Sequence, residues 1–425
     1  MPHYDWIIQG GHVIDPKQGI DQLMDLAILK GRIAAVEMAI EKGQARECFD
    51  AQGMIVTPGL IDLHIHGYPH VTPLGIDVDH YCLGRGVTTA VDAGSAGCDT
   101  FPGFRHFAVQ PIRTRLLAFL HISRAGLAFS TRTGNDDPGE LESKKLVNAS
   151  DCVECIEANR DLIVGVKIRL SSSIADQGRN EAFSYQAAQE AAADVSLPLM
   201  VHHNFSSVSM EDCPGKMKEG DLYTHCFHGY PSTVLKPQDL QLLACVAQAR
   251  RDGVLFDVGH GMGSFAWPVA EACIAQGFWP DTISTDLHSL NHEGPVYDLP
   301  TVMSRLWQAG MPLQEVIRAS TLNPARAIGW ADRIGTLEIG READITVLER
   351  NRDPLELEDC HAQLRTLPQR LVPAAVWRNG EPFPITHPKR LPNPECYPSA
   401  LEWRSKLVVS DPPSGSPPPP RPSGT

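Results

Sequence analysis

The segment TPGLIDLHIHG, residues 57–67, sets His64 and His66 one residue apart after an apolar run. On an extended strand residues two apart face the same way, so both imidazoles share a side with Asp62. Two converging imidazoles suit a divalent transition ion, zinc above all. H-x-H also occurs on ordinary half-exposed strands, and the motif alone leaves both readings open. Ligand-type residues end other apolar segments as well. In IVGVKIRL, Lys167 shares a face with Gly165 and Arg169, opposite Val166, Ile168 and Leu170. An ammonium in such a strand is costly unless paired or neutralised. It is either a salt-bridged interior lysine or an amine that CO2 has converted to a carbamate, an anion able to bridge two cations. In PLMVHHN, Leu199 and Val201 suit a helix-packed exterior, which turns His202 inward with Met200 and Asn204 and leaves His203 to a local hydrogen bond. In DLYTHCFHG, His225 is the preferred ligand, His228 a candidate substrate contact and Cys226 a packing residue. In TISTDLHSLNHEG, Ser284, Asp286 and His288 alternate onto one face. Asp286 can hold an ion and accept a proton from water, or simply cap a helix or orient a histidine. Taken together, His64, His66, Lys167, His202, His225 and Asp286 form an ordered set of ligand types.

These residues need a scaffold that gathers strand ends. The strand candidates are LIDLHIH, TTAVDAG, LLAFLHIS, IVGVKIRL, PLMVHHN, DLYTHCF, VLFDVGH and TISTDLH, with helical stretches such as NEAFSYQAAQEAAADV between several of them. Eight strands with helical crossovers predict an α/β architecture, a parallel (β/α)8 barrel of the TIM type over 57–334. An open doubly wound sheet is the competing arrangement, but nearly every strand candidate ends in a polar or ionisable residue, as a single mouth requires. Period-two segments in 1–56 and again in 335–390 predict one small composite β-sandwich from the two ends of the chain. The remainder, 391–425, is an extension whose Pro/Ser/Gly-rich end should be disordered.

Bulk properties narrow the function. With 425 residues the chain accommodates a large barrel and an accessory unit. A formal net charge of −14 without a Lys/Arg block argues against nucleic acid or an anionic membrane as a partner. No secretory signal and no run near the roughly 18 apolar residues of a membrane span is evident. The 11 cysteines are scattered and odd in number, unlike a disulfide framework, and Cys152 and Cys155 lie in a helical segment without a second pair. A reducing cytoplasm fits this usage. The sequence does not decide between a monomer and a homo-oligomer.

GLIDLHIHG, VGVKIRL, MVHH, YTHCFHG and ISTDLHS, in that order, resemble the amidohydrolase superfamily, in its branch with a carboxylated lysine and two metals. DAQGMIVTP before the first motif and GTLEIGREADITVLE after the last resemble that family's sandwich strands, so the likeness spans about residues 1–390. KIRLSSS, THCFHG and DVGHGMGSF look closest to the deacetylase group, similar to enzymes acting on N-acetyl-D-amino acids and acetyl-(R)-mandelate, and more distantly to dihydroorotase. The resemblance implies that His64, His66 and Asp286 hold one divalent ion, that His202 and His225 hold a second, and that carboxylated Lys167 bridges them. It also implies a bridging hydroxide as nucleophile and Asp286 as general base, then acid. Zinc is the expected metal because histidines dominate. Such a site would retain about one unit of positive charge and favour a small carboxylate-bearing substrate, hydrolysed at an acyl C–N bond or ester. Arg169 is a candidate carboxylate clamp, with an internal ion pair as its other reading. Asn204, His228, His260 and Ser264 are further candidates for lining the pocket. The alternatives are a cyclic amide hydrolase of dihydroorotase or hydantoinase type, and a non-catalytic barrel scaffold.

Overall fold

The computed structural model describes residues 3–129, 139–393 and 404–410. Five strands open the chain: β1 (Tyr4–Asp15), β2 (Ile20–Leu29), β3 (Arg32–Glu37), β4 (Ala45–Asp50) and β5 (Ile55–Pro58). Seven follow in the middle: β6 (Leu60–Ile65), β7 (Val87–Gly97), β8 (Arg115–His121), β9 (Ile163–Leu170), β10 (Leu199–His203), β11 (Leu222–Thr224) and β12 (Leu255–Phe256). Five more come last: β13 (Ile345–Asn351), β14 (Leu355–Glu358), β15 (Leu364–Leu367), β16 (Arg370–Arg378) and β17 (Glu381–Phe383).

Strands from both ends of the chain share one sheet, in the order β17-β16-β13-β5-β1-β2-β3, with β4 also paired to β1. Its junction is the antiparallel β13–β5 pair, Val347 facing Val56. Ile8, Leu26, Val56, Leu337, Ile345 and Trp377 form a core on this sheet, with Trp6 and Phe49 edge-on to Trp377 at 5.6 and 5.4 Å.

Strands β6 to β12 pair in sequence, all parallel. Residues 282–287 close the ring through bridges from Thr282 to Asp257 and from Leu287 to Ile65. The closure excludes the open sheet and makes an eight-stranded barrel. The apolar strand residues sort into two layers, with the alternation broken in β9 where its register with β8 shifts and Val164 and Gly165 both face inward. Leu117, Phe119, Val91, Ala93, Val164, Met200 and Leu222 fill the interior, and Ala325 and Ile328 plug it from beneath. Leu116, Ala118, Leu120, Val166, Ile168, Leu199 and Val201 face outward into the helix layer. A packed interior at one end leaves only the carboxyl ends of the strands to form a site. Phe119 is fully buried in that interior, and a Cβ on Gly165 would approach its ring to 2.4 Å, so the glycine makes room for the phenyl group. Phe119→Ala should therefore lower unfolding stability by about 3–5 kcal/mol, read from urea denaturation midpoints.

Residues 407–409 dock back on the barrel, where Val408 N–H donates to Gly229 O at 2.8 Å. The expectation of a disordered Pro-rich tail falls on residues outside those described.

Candidate metal centre

All six predicted ligands meet at the carboxyl end of the barrel. Asp286 Oδ1 lies 3.0 Å from His66 Nε2 and 3.4 Å from His64 Nε2, and the three ligand atoms fall within 4.8 Å of one another. Lys167 Nζ is 3.4 Å from His64 Nε2. The His225 ring centroid is 5.1 Å from that of His64, and His202 lies 4.3 Å beyond it.

The backbone aims these groups. His225 and Asp286 adopt φ of +66° and +50°, a left-handed conformation costly for residues with a Cβ. It ends the strand direction at both positions and turns their side chains across the mouth. Strand β6 holds a correction to the sequence reading. Its register with β7 shifts between Asp62 and Ile65, so strict alternation fails and Asp62 does not join the cluster. Its carboxylate instead accepts from Thr285 N–H at 3.0 Å, Thr285 Oγ1 at 2.6 Å and His64 N–H at 3.3 Å, tying β6 to the closing segment.

Hydrogen bonds fix the imidazoles. His225 Nδ1 donates to Gly259 O at 2.6 Å. Thr224 Oγ1 donates to Asp257 Oδ2 at 2.8 Å, which leaves its oxygen to accept from His64 Nδ1 at 3.0 Å. His66 Nδ1 meets Ser95 Oγ at 3.0 Å. Protons held at Nδ1 of His64 and His225 leave the Nε2 lone pairs turned inward. His225 Nε2 is buried and has no hydrogen-bond partner among the described residues. An orphaned acceptor of this kind is costly unless something electron-poor completes it. A divalent cation fits these donors, and the outer hydrogen bonds have the arrangement typical of metal-bound histidines.

Electrostatics agree. Burial drives His64 and His202 well below the ordinary imidazole range and His225 down to about 4, so all three present neutral, ligating rings. Burial pulls Lys167 down to about 7. Burial pushes the Asp286 carboxyl up, but its contacts with His64 and His66 outweigh this and hold it well below the carboxylate range.

The predicted substrate contacts fare differently. Asn204 lies beside the centre, its side chain hydrogen-bonded to His202. Arg169 is committed to fully buried Glu140 through Nε–Oε1 at 2.5 Å and Nη2–Oε2 at 2.9 Å. The internal ion pair is thus the reading this geometry favours over a dedicated carboxylate clamp. His228 accepts Tyr230 N–H at Nδ1 and reaches His203 O through Nε2. His260 is likewise engaged at both ring nitrogens, with Gly261 O and Arg305. These two imidazoles have no ring nitrogen left over for a substrate. Ser264 is buried, and its N–H donates to His260 O at 3.2 Å.

Several supporting residues were not anticipated. Thr224, Asp257 and His121 all lie within the strand candidates, and His121 Nδ1 accepts Ser123 N–H at 2.9 Å. Burial drives His121 down to about 3. Thr224→Val removes the acceptor for His64 Nδ1 at nearly constant volume. It should weaken metal affinity ~10- to 100-fold, measured by competition with a chromophoric chelator.

Residues 266–382 match the Amidohydrolase family. The chain is 36% identical over 344 residues to a protein named deacetylase from Agrobacterium fabrum (strain C58), covering 81% of this chain and 82% of the relative. A solved adenine deaminase superposes with a TM-score of 0.82 at 30% identity, covering 89% of this chain and 99% of that one. A solved dihydroorotase gives 0.82 at 31% identity, covering 91% and 99%. The chain belongs to the amidohydrolase family, as the ordered histidine, lysine and aspartate motifs implied. The family generally uses divalent metal ions, often with a carboxylated lysine. Among the described residues no helix is long and apolar enough to cross a membrane.

Proposed function

We propose that this protein is a metal-dependent hydrolase that cleaves an acyl amide bond, or the corresponding ester, in a small molecule, with removal of an acetyl group as its reaction. The observation that carries this reading is the buried His225 Nε2, unpaired within a cage of neutral imidazoles closed by Asp286. The deacetylase relative, aligned over most of both chains, supports the reaction type.

In this reading His64, His66 and Asp286 hold one ion and His202 and His225 the other, with zinc as the metal favoured by so many imidazoles. Lys167, converted to a carbamate, would bridge them. Its depressed pKa supports this, because the neutral amine is the form that attacks CO2, giving the carbamate and releasing one proton. Bound divalent ions supply Lewis-acid polarisation of a carbonyl and lower the pKa of water from 15.7 toward ~7. Asp286 turns Oδ1 toward His64 and His66, which leaves Oδ2, on the Gly261 side, to move the proton. That oxygen accepts a proton as water adds to the acyl carbon and returns it to the departing nitrogen or oxygen as the bond to carbon breaks. The products are a carboxylate and an amine or alcohol.

A carboxylate-bearing substrate remains part of the proposal, but its source of attraction shifts. Glu140 balances the charge of Arg169, so the attraction for a substrate anion rests on the ions themselves. Free thiols throughout the described cysteines support a reducing compartment such as the cytoplasm. Metal-loaded protein should release acetate from N-acetyl-D-amino acids or acetylated 2-hydroxy acids, and chelation should stop it. Turnover that survives chelation refutes the metal reading, whereas no turnover across this panel refutes the substrate class. The similarity to a dihydroorotase favours one rival, opening of a cyclic amide. Loss of ultraviolet absorbance with dihydropyrimidine rings, and no acetate release, is the result that selects it.

A further inference from the structure

Arg305, on the helix Leu299–Gln308, is fully buried, yet among the described residues its guanidinium pairs with no carboxylate. Nη1 meets His260 Nε2 at 2.7 Å and Nη2 donates to Glu358 O at 3.1 Å, while Nε is buried without a partner among the described residues. Such an arrangement is expensive, and an apolar side chain would fill the space at lower cost. Its specific consequence falls on His260. Arginine only donates, so His260 Nε2 must accept and the ring proton is forced onto Nδ1, which donates to Gly261 O at 3.0 Å. The ring is also stacked on Phe265 at 4.7 Å.

His260 stands between the two glycines that touch the metal cage. Gly259 (φ +46°) offers the carbonyl that holds His225 Nδ1 at 2.6 Å, and a Cβ there would fall 2.8 Å from that nitrogen. Gly261 (φ +55°) lies against Asp286, where a Cβ would come within 2.6 Å of Oδ2. The segment's backbone is held to the closing segment by Gly259 N–H to Ser284 Oγ at 3.1 Å and Gly261 N–H to Thr285 O at 2.9 Å, Cys360 Sγ lies 3.3 Å from Gly261 O, and the His260 ring adds the side-chain tie to Arg305.

We propose that Arg305 and His260 are positioning residues of the metal centre, pinning the Gly259–Gly261 segment so that its carbonyl orients His225 and its backbone confines Asp286. This rests on the metal-centre reading above and recasts His260 from a substrate contact to a support.

The test is zinc titration of metal-free protein against a chromophoric chelator, with wild type, Arg305→Leu and His260→Gln compared. Unfolding midpoints of the metal-free forms run alongside. Arg305→Leu should raise the dissociation constant of the ion at His202 and His225 ~10- to 100-fold and disturb the other ion less, since the direct hydrogen bond is to His225. Glutamine at 260 still accepts from Arg305 and donates to Gly261 O, so His260→Gln should retain most of the affinity. Wild-type affinity in Arg305→Leu overturns the proposal, as does a parallel loss of both ions in both variants, which indicates general loosening. If Arg305→Leu does not fold, the double variant Arg305→Leu/His260→Leu removes the buried cation together with its partner. It should show the same selective loss, and wild-type binding by it overturns the proposal. A wild type that binds no zinc refutes the metal-centre reading itself.

Discussion

Lys167→Met should fold, lose most of its metal and lose activity by on the order of 10^3-fold or more, given that changes to outer hydrogen-bonding residues alone cost 10- to 100-fold. Methionine is close in length and apolar, so the fully buried site tolerates it sterically. Metal per chain, measured by elemental analysis after gel filtration, checks the first part. Full occupancy in the variant would mean that the lysine is not the bridge. Stability carries an independent signature. Burial depresses the Lys167 pKa from 10.5 in the unfolded chain to about 7 in the fold. Between these values the unfolded chain binds more protons, so metal-free wild type should gain stability as pH rises from about 7 toward 10.5. Below about 7 both states are protonated and the penalty is constant. The variant lacks this term. Metal-free Lys167→Met should therefore be the more stable protein at pH 7, by on the order of a few kcal/mol, with the gap closing at alkaline pH. Denaturant midpoints of both proteins at three pH values test the slope.

Asp286→Asn should reduce kcat by ~10^2- to 10^4-fold with KM changed far less, the pattern of a group whose work is done in the transition state. The amide keeps an oxygen toward His64 and His66 but cannot accept a proton at the reaction's pH. The measurement is made at saturating zinc, with bound metal counted in the same samples. A small fall in kcat in fully loaded protein would transfer the proton-carrying role elsewhere. His288, whose ring lies 6.3 Å from that of His66 and which burial drives down to about 4, is one group that could take it over.

The centre was legible because a barrel converts a one-dimensional pattern, polar residues at the ends of apolar runs, into a three-dimensional convergence. Lys167 and His202 needed only period two and the knowledge that parallel strands end together, whereas His225 was legible from its place at the end of an apolar run and is aimed inward by its left-handed backbone. Asp62 was misread because alternation holds only while register does, and β6 slips against β7 at that residue. Glu140 sits among turn-forming, charged residues in NDDPGELESKK, and its burial comes from pairing with an arginine 29 residues away. No local signal encodes that. Arg305 in LPTVMSRLWQ reads as the polar face of an amphipathic helix, yet the residues from Leu299 to Leu306 are all buried. The guanidinium is internal because the C-terminal segments cover that helix, as where Ser304 Oγ receives Leu371 N–H at 2.8 Å. The terminal sheet was legible in texture, while its strand order depended on pairings across nearly 300 residues.

The β13–β5 pair has a consequence for how the protein is born. Only Gly59 separates β5 from the strand that presents His64 and His66, and β5 lies between β1 and a partner synthesised almost 300 residues later. A growing chain can therefore close its barrel on the ribosome while the foundation of its first two histidines is still missing a neighbour. The strand that leads into His64 and His66 gains its second neighbour only once residues 345–348 have been made.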